Sequence, residues 1–189
     1  MITVERAIEA LWATWFVVWM LAAVWSGRTV ARQPAGSRLL HSALFMVGAA
    51  LLLFVSTRGT SLGTRLVPRV GWVGWIGAGA TFLGLAFTGW ARVHLGRLWS
   101  GSVTLKEGHR VVRSGPYALT RHPIYTGLLA AAFGTAFAHG TLAALLGALL
   151  LTLGLLVKLH GEERLLLEHL GDEYRDYKSK VPALVPRLW

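Results

Sequence analysis

Four long apolar runs separated by more polar segments set the pattern of this chain. A helix needs about 20 apolar residues to cross the hydrocarbon core of a bilayer. The first run, 7–25, contains no Lys, Arg or Asp and a single acid, Glu9, near its start. The second, 39–55, has His41 near its beginning, and the third covers 70–90. The fourth, 124–157, holds 34 residues without one Asp, Glu, Lys or Arg. One tilted helix has no use for that length, so the run predicts a hairpin turning near Ala138-His139-Gly140. Its arms are short for a full span. The pattern therefore predicts an all-α integral membrane protein of about five transmembrane helices.

Composition supports this. Of 189 residues, 54% are hydrophobic and only 15% charged, whereas soluble domains carry about 25% charged residues. With a mean hydropathy of +0.52, neither an ordinary soluble globule nor a disordered chain fits. The absence of cysteine excludes disulfides, thiolate metal sites and cysteine nucleophiles. A cleaved signal peptide needs a basic start, but Glu5, Arg6 and Glu9 give an acidic one.

Charge then predicts orientation. Fifteen of the 19 Lys and Arg fall in 26–38, in 91–123 and after Val157, the segments that five spans place on one face. Cytoplasmic loops carry the excess of Lys and Arg, so the N-terminus is expected outside and the C-terminus in the cytoplasm, across the inner or plasma membrane if the source is bacterial. The formal charge of +10 is then a topology signal. Nucleic-acid binding is the rival reading of a basic chain, but these residues are scattered over loops between apolar runs.

The halves differ. Residues 1–90 read as three N-terminal spans. The third carries Gly71, Gly74, Gly77, Gly79, Gly84 and Gly89. A dinucleotide loop beginning at Gly77 fails because Phe82 replaces the third glycine, and small residues that admit a neighbouring membrane helix explain the run better. Residues 91–189 hold the polar chemistry, with a long 91–125 loop, the hairpin, and a cytoplasmic C-terminal helix. Long loops inside compact folds are commonly functional. The hairpin brings Arg121-His122-Pro123 and the 158–163 segment together.

Pro123 suits the first helical position. His122 then lies at a helix start, where free N–H groups and the dipole favour an anion or polar cofactor group. The competing reading makes Arg121, Tyr117 and Tyr125 interfacial anchors. Glu162 and Glu163 follow the charge-free hairpin, and acids at a membrane edge often mark function. The competing reading there is a Lys158–Glu162 surface pair. No metal site is expected, because the histidines lack H-x-x-x-H or H-E-x-x-H spacing. A serine triad has no G-x-S-x-G elbow.

Taken in order, His94-Leu-Gly96, Trp99-Ser100, Gly108-His109, Ser114-Gly-Pro-Tyr117, Arg121-His-Pro-Ile-Tyr125, Glu162-Glu163, Gly171-Asp-Glu-Tyr174 and Pro182 to Pro186 resemble the isoprenylcysteine carboxyl methyltransferase family over about 92–187. The resemblance implies an integral membrane enzyme that uses S-adenosylmethionine to methylate a carboxylate on a lipidated or other lipophilic acceptor. It implies a cytoplasmic cofactor site of Ser102, His109, Arg110, Val111, Val112, Gly115, Tyr117, His122, Pro123, Ile124, Tyr125 and Glu162. Arg121, His122 and Glu163 are the catalytic candidates, with Lys158, Trp99 and Arg121 toward the substrate. The family carries Arg where this chain has Lys158. Lysine lacks the planar fork that grips a carboxylate, and Arg121 is the alternative source of one. Three other readings remain: a phospholipid or amine N-methyltransferase of similar plan, an NADPH-dependent membrane reductase sharing the R-H-P-x-Y element, and a non-catalytic helix bundle.

Overall fold

The computed structural model describes residues 2–25, 29–32, 35–54, 59–99, 104–106 and 111–186. Five helices make the architecture: α1 (Val4–Ala23), α2 (Ala35–Leu53), α3 (Gly71–Leu95), α4 (Pro123–His139) and α5 (Leu142–Lys180). Spans beginning at Val4, Gly71 and Leu142 are long and apolar enough to cross a membrane, whereas α2 is shorter. A two-stranded antiparallel ribbon, β1 (Thr29–Arg32) with β2 (Thr104–Lys106), joins two of the loops and was not expected.

Local signals set the helix ends. The Thr3 side chain accepts from the Arg6 N–H at 3.3 Å, capping α1. The hairpin turns where expected: Gly140 closes α4 with φ +64°, and Thr141 then caps α5 by accepting from Ala144 N–H at 3.3 Å. Two boundaries differ from expectation. α3 runs five residues beyond the apolar run, to Leu95. α5 does not stop at Val157 but continues through both glutamates and is interrupted at Gly171 (φ +51°, ψ −121°). Amphipathic spacing of leucines beyond the charge-free run lets one helix continue from lipid into the interface.

The membrane part is built from two close pairs, α3 with α4 and α2 with α5. A Cβ on Gly84 would lie 2.5 Å from the Gly127 carbonyl oxygen, and one on Gly127 would lie 2.6 Å from that of Gly84. Gly48 and Gly147 face one another across α2 and α5 in the same reciprocal way. Helices in lipid gain little from apolar burial and associate through such close backbone approach. Of the glycines of the third apolar run, Gly77 and Gly84 serve this packing and Gly74 meets Val4, whereas a Cβ on Gly71, Gly79 or Gly89 would meet nothing within 4 Å.

α1 is attached differently. It buries only Ile8 and leaves Phe16, Val17 and Leu21 on the outside. Side-chain bonds hold it: Trp12 Nε1 donates to Thr135 Oγ1 at 3.0 Å and Trp15 Nε1 to Thr88 Oγ1 at 2.7 Å. At its end, Arg92 of α3 donates to the carbonyls of Ala22 (2.5 Å) and Trp25 (3.0 Å) and lies 4.5 Å over the Trp99 ring. The one arginine thereby ties α1 to α3 and seats Trp99.

Candidate functional site

The residues just before α4 are held by a segment some sixty positions later. Arg121 N–H donates to the Pro182 carbonyl at 2.8 Å and His122 N–H to that of Ala183 at 3.0 Å. Thr126 Oγ1 donates to the Leu184 carbonyl at 2.6 Å. The N–H groups of Arg121 and His122 are thereby taken, and that of Tyr125 bonds to the His122 carbonyl. Pro123 has none to offer.

Below lies a buried ionic cluster. Glu163 Oε1 accepts from Arg121 Nε at 2.7 Å and lies 2.6 Å from Arg121 Nη2, while its Oε2 accepts from Lys178 Nζ at 2.6 Å. Arg121 Nη1 donates to the carbonyls of Lys178 (3.1 Å) and Val181 (2.5 Å). The arginine fork offered to a substrate is therefore already closed on Glu163 and on backbone carbonyls. Arg121 organises the site, because a guanidinium with these bonds in place has no second fork to present.

Glu162 faces the other way. Its Oε2 accepts from the Tyr125 hydroxyl at 2.6 Å and lies 3.5 Å from His122 Nδ1, and its side chain stays 24% exposed. His122 stands between the two carboxylates, with Nε2 3.4 Å from Glu163 Oε1, and stacks on the Tyr125 ring at 5.3 Å. Burial alone would lower the His122 pKa, but the hydrogen bonds and charges of Glu162 and Glu163 outweigh it and raise it above the ordinary value. Lys158 Nζ lies 5.4 Å from the Tyr125 ring centroid, in cation–π range.

These groups form the polar end of a cavity of about 560 Å³, within the range of small-ligand sites. Trp15, Trp19, Phe45, Leu128 and Leu155 make an apolar wall, and Leu165, Leu166, Leu170, Tyr174 and Tyr177 a roof. Trp19 links α1 to the loop by stacking at 4.7 Å on Trp15 and edge-on at 5.4 Å to Trp99.

Of the residues singled out from sequence, Trp99, Val111, Val112, Tyr117, Arg121, His122, Pro123, Ile124, Tyr125, Lys158 and Glu162 line this cavity. Glu163 is buried among its cationic partners. Gly115 is not in the lining: it has φ +58°, and a Cβ there would meet His94 Cε1 at 2.7 Å, so it makes room for the His94 ring behind Tyr117. Ser102, His109 and Arg110 lie outside the described residues. Sequence reasoning missed Trp15, Trp19, His41 and Phe45, contributed by the first two helices. The 12-15-19 spacing of tryptophans on one helical face was the available signal. It also left Tyr174 and Tyr177 without a role.

The chain is similar to known proteins over much of this region. The model of the isoprenylcysteine carboxyl methyltransferase family matches residues 77–168, from α3 through Glu162 and Glu163. A protein-S-isoprenylcysteine O-methyltransferase of Schizosaccharomyces pombe is 35% identical over 101 residues, covering 52% of this chain and 43% of the relative. A methanethiol S-methyltransferase of Mycobacterium tuberculosis is 32% identical over 193 residues, covering 97% of this chain and 64% of the relative. Methanethiol S-methyltransferase 2 of Bradyrhizobium diazoefficiens is 44% identical over 73 residues, 39% of this chain and 27% of the relative. The chain thus spans less than two thirds of the length of each of these relatives. The stretch that carries Arg121, His122, Tyr125, Lys158 and both glutamates is the one that matches the isoprenylcysteine carboxyl methyltransferase family.

Proposed function

We propose that this protein is a membrane methyltransferase that uses S-adenosylmethionine to methylate an anionic sulfur or oxygen on a lipophilic acceptor. The observation that carries this reading is the cavity itself, with Glu162, His122, Tyr125 and Lys158 at one end and an apolar wall along the rest. The donor set suits the cofactor. Glu162 lines the cavity with its side chain partly exposed, which suits an ammonium or a ribose hydroxyl, and the Tyr125 and Tyr117 rings suit adenine or a sulfonium. Bound S-adenosylmethionine supplies the transferable methyl group.

The protein's part is alignment and exclusion of water. In-line displacement needs the nucleophile held at about 3–3.5 Å from the methyl carbon, in a site closed to solvent. The tryptophan wall and the leucine roof provide closure. Lys158 offers a point charge and not a fork, which suits a thiolate as well as a carboxylate. A carboxylate acceptor needs no base. A thiol loses its proton first, and a nearby ammonium favours the thiolate. The breadth of the match to the methanethiol enzyme, across nearly the whole chain, supports admitting sulfur as acceptor atom beside the carboxylate. A protonated amine headgroup would meet Lys158 unfavourably, which counts against the phospholipid N-methyltransferase reading. The basic loop segments support a cofactor site facing the cytoplasm, where the donor is made.

Titration calorimetry of the detergent-purified protein with S-adenosylhomocysteine, and with NADPH in parallel, tests the class. Micromolar binding of the first alone is expected, and binding of NADPH alone would replace this reading with a reductase. Methyl transfer to alkyl thiols, prenylcysteine and phosphatidylethanolamine then separates the acceptors, with turnover expected on the first two.

A further inference from the structure

The roof of the cavity holds a polar atom that the fold leaves unanswered. Tyr174 is 3% exposed, lines the cavity, and its hydroxyl has no hydrogen-bond partner among the described residues. Its neighbour Tyr177, set edge-on at 6.0 Å, is the opposite case, because the Tyr177 hydroxyl donates to the Tyr117 carbonyl at 2.6 Å. A phenol buried without a partner is costly and uncommon in native structures. Such a group persists where it answers something that arrives later.

Its placement indicates what arrives. Gly171, three residues earlier, breaks α5 with a positive φ, and residues on both sides of the break line the cavity. Tyr174 lines the same cavity as Arg121, His122 and Glu162. Glu163 is taken up by Arg121 and Lys178, whereas Glu162 keeps an open side. A ligand hydroxyl between the two can donate to the acceptor-only carboxylate and accept from the phenol at once, which uses the O–H of Tyr174 as a donor. We propose that Tyr174 is a cofactor-binding residue whose hydroxyl donates to a ribose hydroxyl of the bound methyl donor, with a small swing of its ring, while Glu162 accepts from the same sugar. This rests on the methyl-donor reading above.

Tyr174→Phe removes only the oxygen. Calorimetry with S-adenosylhomocysteine is expected to give about tenfold weaker binding than wild type, equivalent to about 1.4 kcal/mol. The melting temperature of the ligand-free protein is expected to hold or rise, because an unanswered buried polar atom has been deleted. Tyr177→Phe is the internal control, with a lowered ligand-free melting temperature because its hydroxyl is in use. Unchanged affinity in Tyr174→Phe overturns the proposal. So does a fall in ligand-free stability matching that of Tyr177→Phe, which would return Tyr174 to the structural core. Failure of the wild type itself to bind S-adenosylhomocysteine is a different result, and it would remove the proposed function first.

Discussion

The α3–α4 seam and the ionic cluster beneath Arg121 are held by opposite means. The seam has no charge and closes because Gly84 and Gly127 have no side chains to separate the backbones. The cluster is closed by one carboxylate, Glu163, facing Arg121, Lys178 and His122. The seam is specified by what is missing and tolerates conservative change in its lipid-facing residues. The cluster is specified by what is present and fails when one member is removed. A chain that is both membrane bundle and polar cavity needs both, because lipid rewards close contact between spans while the interface, where the charged groups sit, rewards satisfied charge.

The largest way to break the contrast is Glu163→Ala, which strands the buried Arg121 guanidinium and releases the half-exposed Lys178. Removing one partner of a buried ion pair costs about 3–5 kcal/mol, so a strongly lowered melting temperature and release of the 178–184 segment to protease are expected. Next is Gly84→Leu, which forces the α3–α4 backbones apart at a cost of about 1–3 kcal/mol. It should lower the melting temperature with or without cofactor. Glu162→Gln, which touches the open side of the cluster, is expected to weaken S-adenosylhomocysteine binding about tenfold, with the melting temperature of the free protein nearly unchanged. Lys158→Ala should raise KM for an anionic acceptor several-fold while cofactor affinity holds, a split that separates acceptor binding from structure.

The smallest expected effect is on pH. The folded-state pKa of His122 is raised by its two carboxylates. Its contribution to stability is therefore fully present below the unfolded value of about 6.5 and is lost as pH rises through the higher folded value. Melting temperatures measured across that window should decline with pH in the wild type, and His122→Gln should flatten that part of the curve.

Much of this was legible in the sequence, for identifiable reasons. The hairpin at His139-Gly140 could be read because 34 uncharged residues cannot make one span, and glycine ends helices. His122, Tyr125 and Glu162 could be picked out because polar groups at the edge of an apolar run are conspicuous. What Arg121 binds could not be read, since its partners lie at 163, 178 and 181 and no local pattern encodes a contact at that separation. The same holds for Trp15 and Trp19. On α1 they read as membrane filling, and only tertiary packing against Trp99 brings them to the cavity wall. The break at Gly171 was hidden inside a leucine pattern that suits a continuous helix.

The bonds from Arg121 and His122 to the carbonyls of Pro182 and Ala183 also bear on how the protein is made. Spans leave the ribosome in order, so α4 enters the membrane while the residues that finish its first turn are still unsynthesised. Until those residues arrive, the start of α4 has only water or lipid headgroups for its N–H groups, and the cavity has no roof. The nascent chain is thus a membrane protein before it is a binding site, and tags or truncations placed near residue 182 act on the site directly.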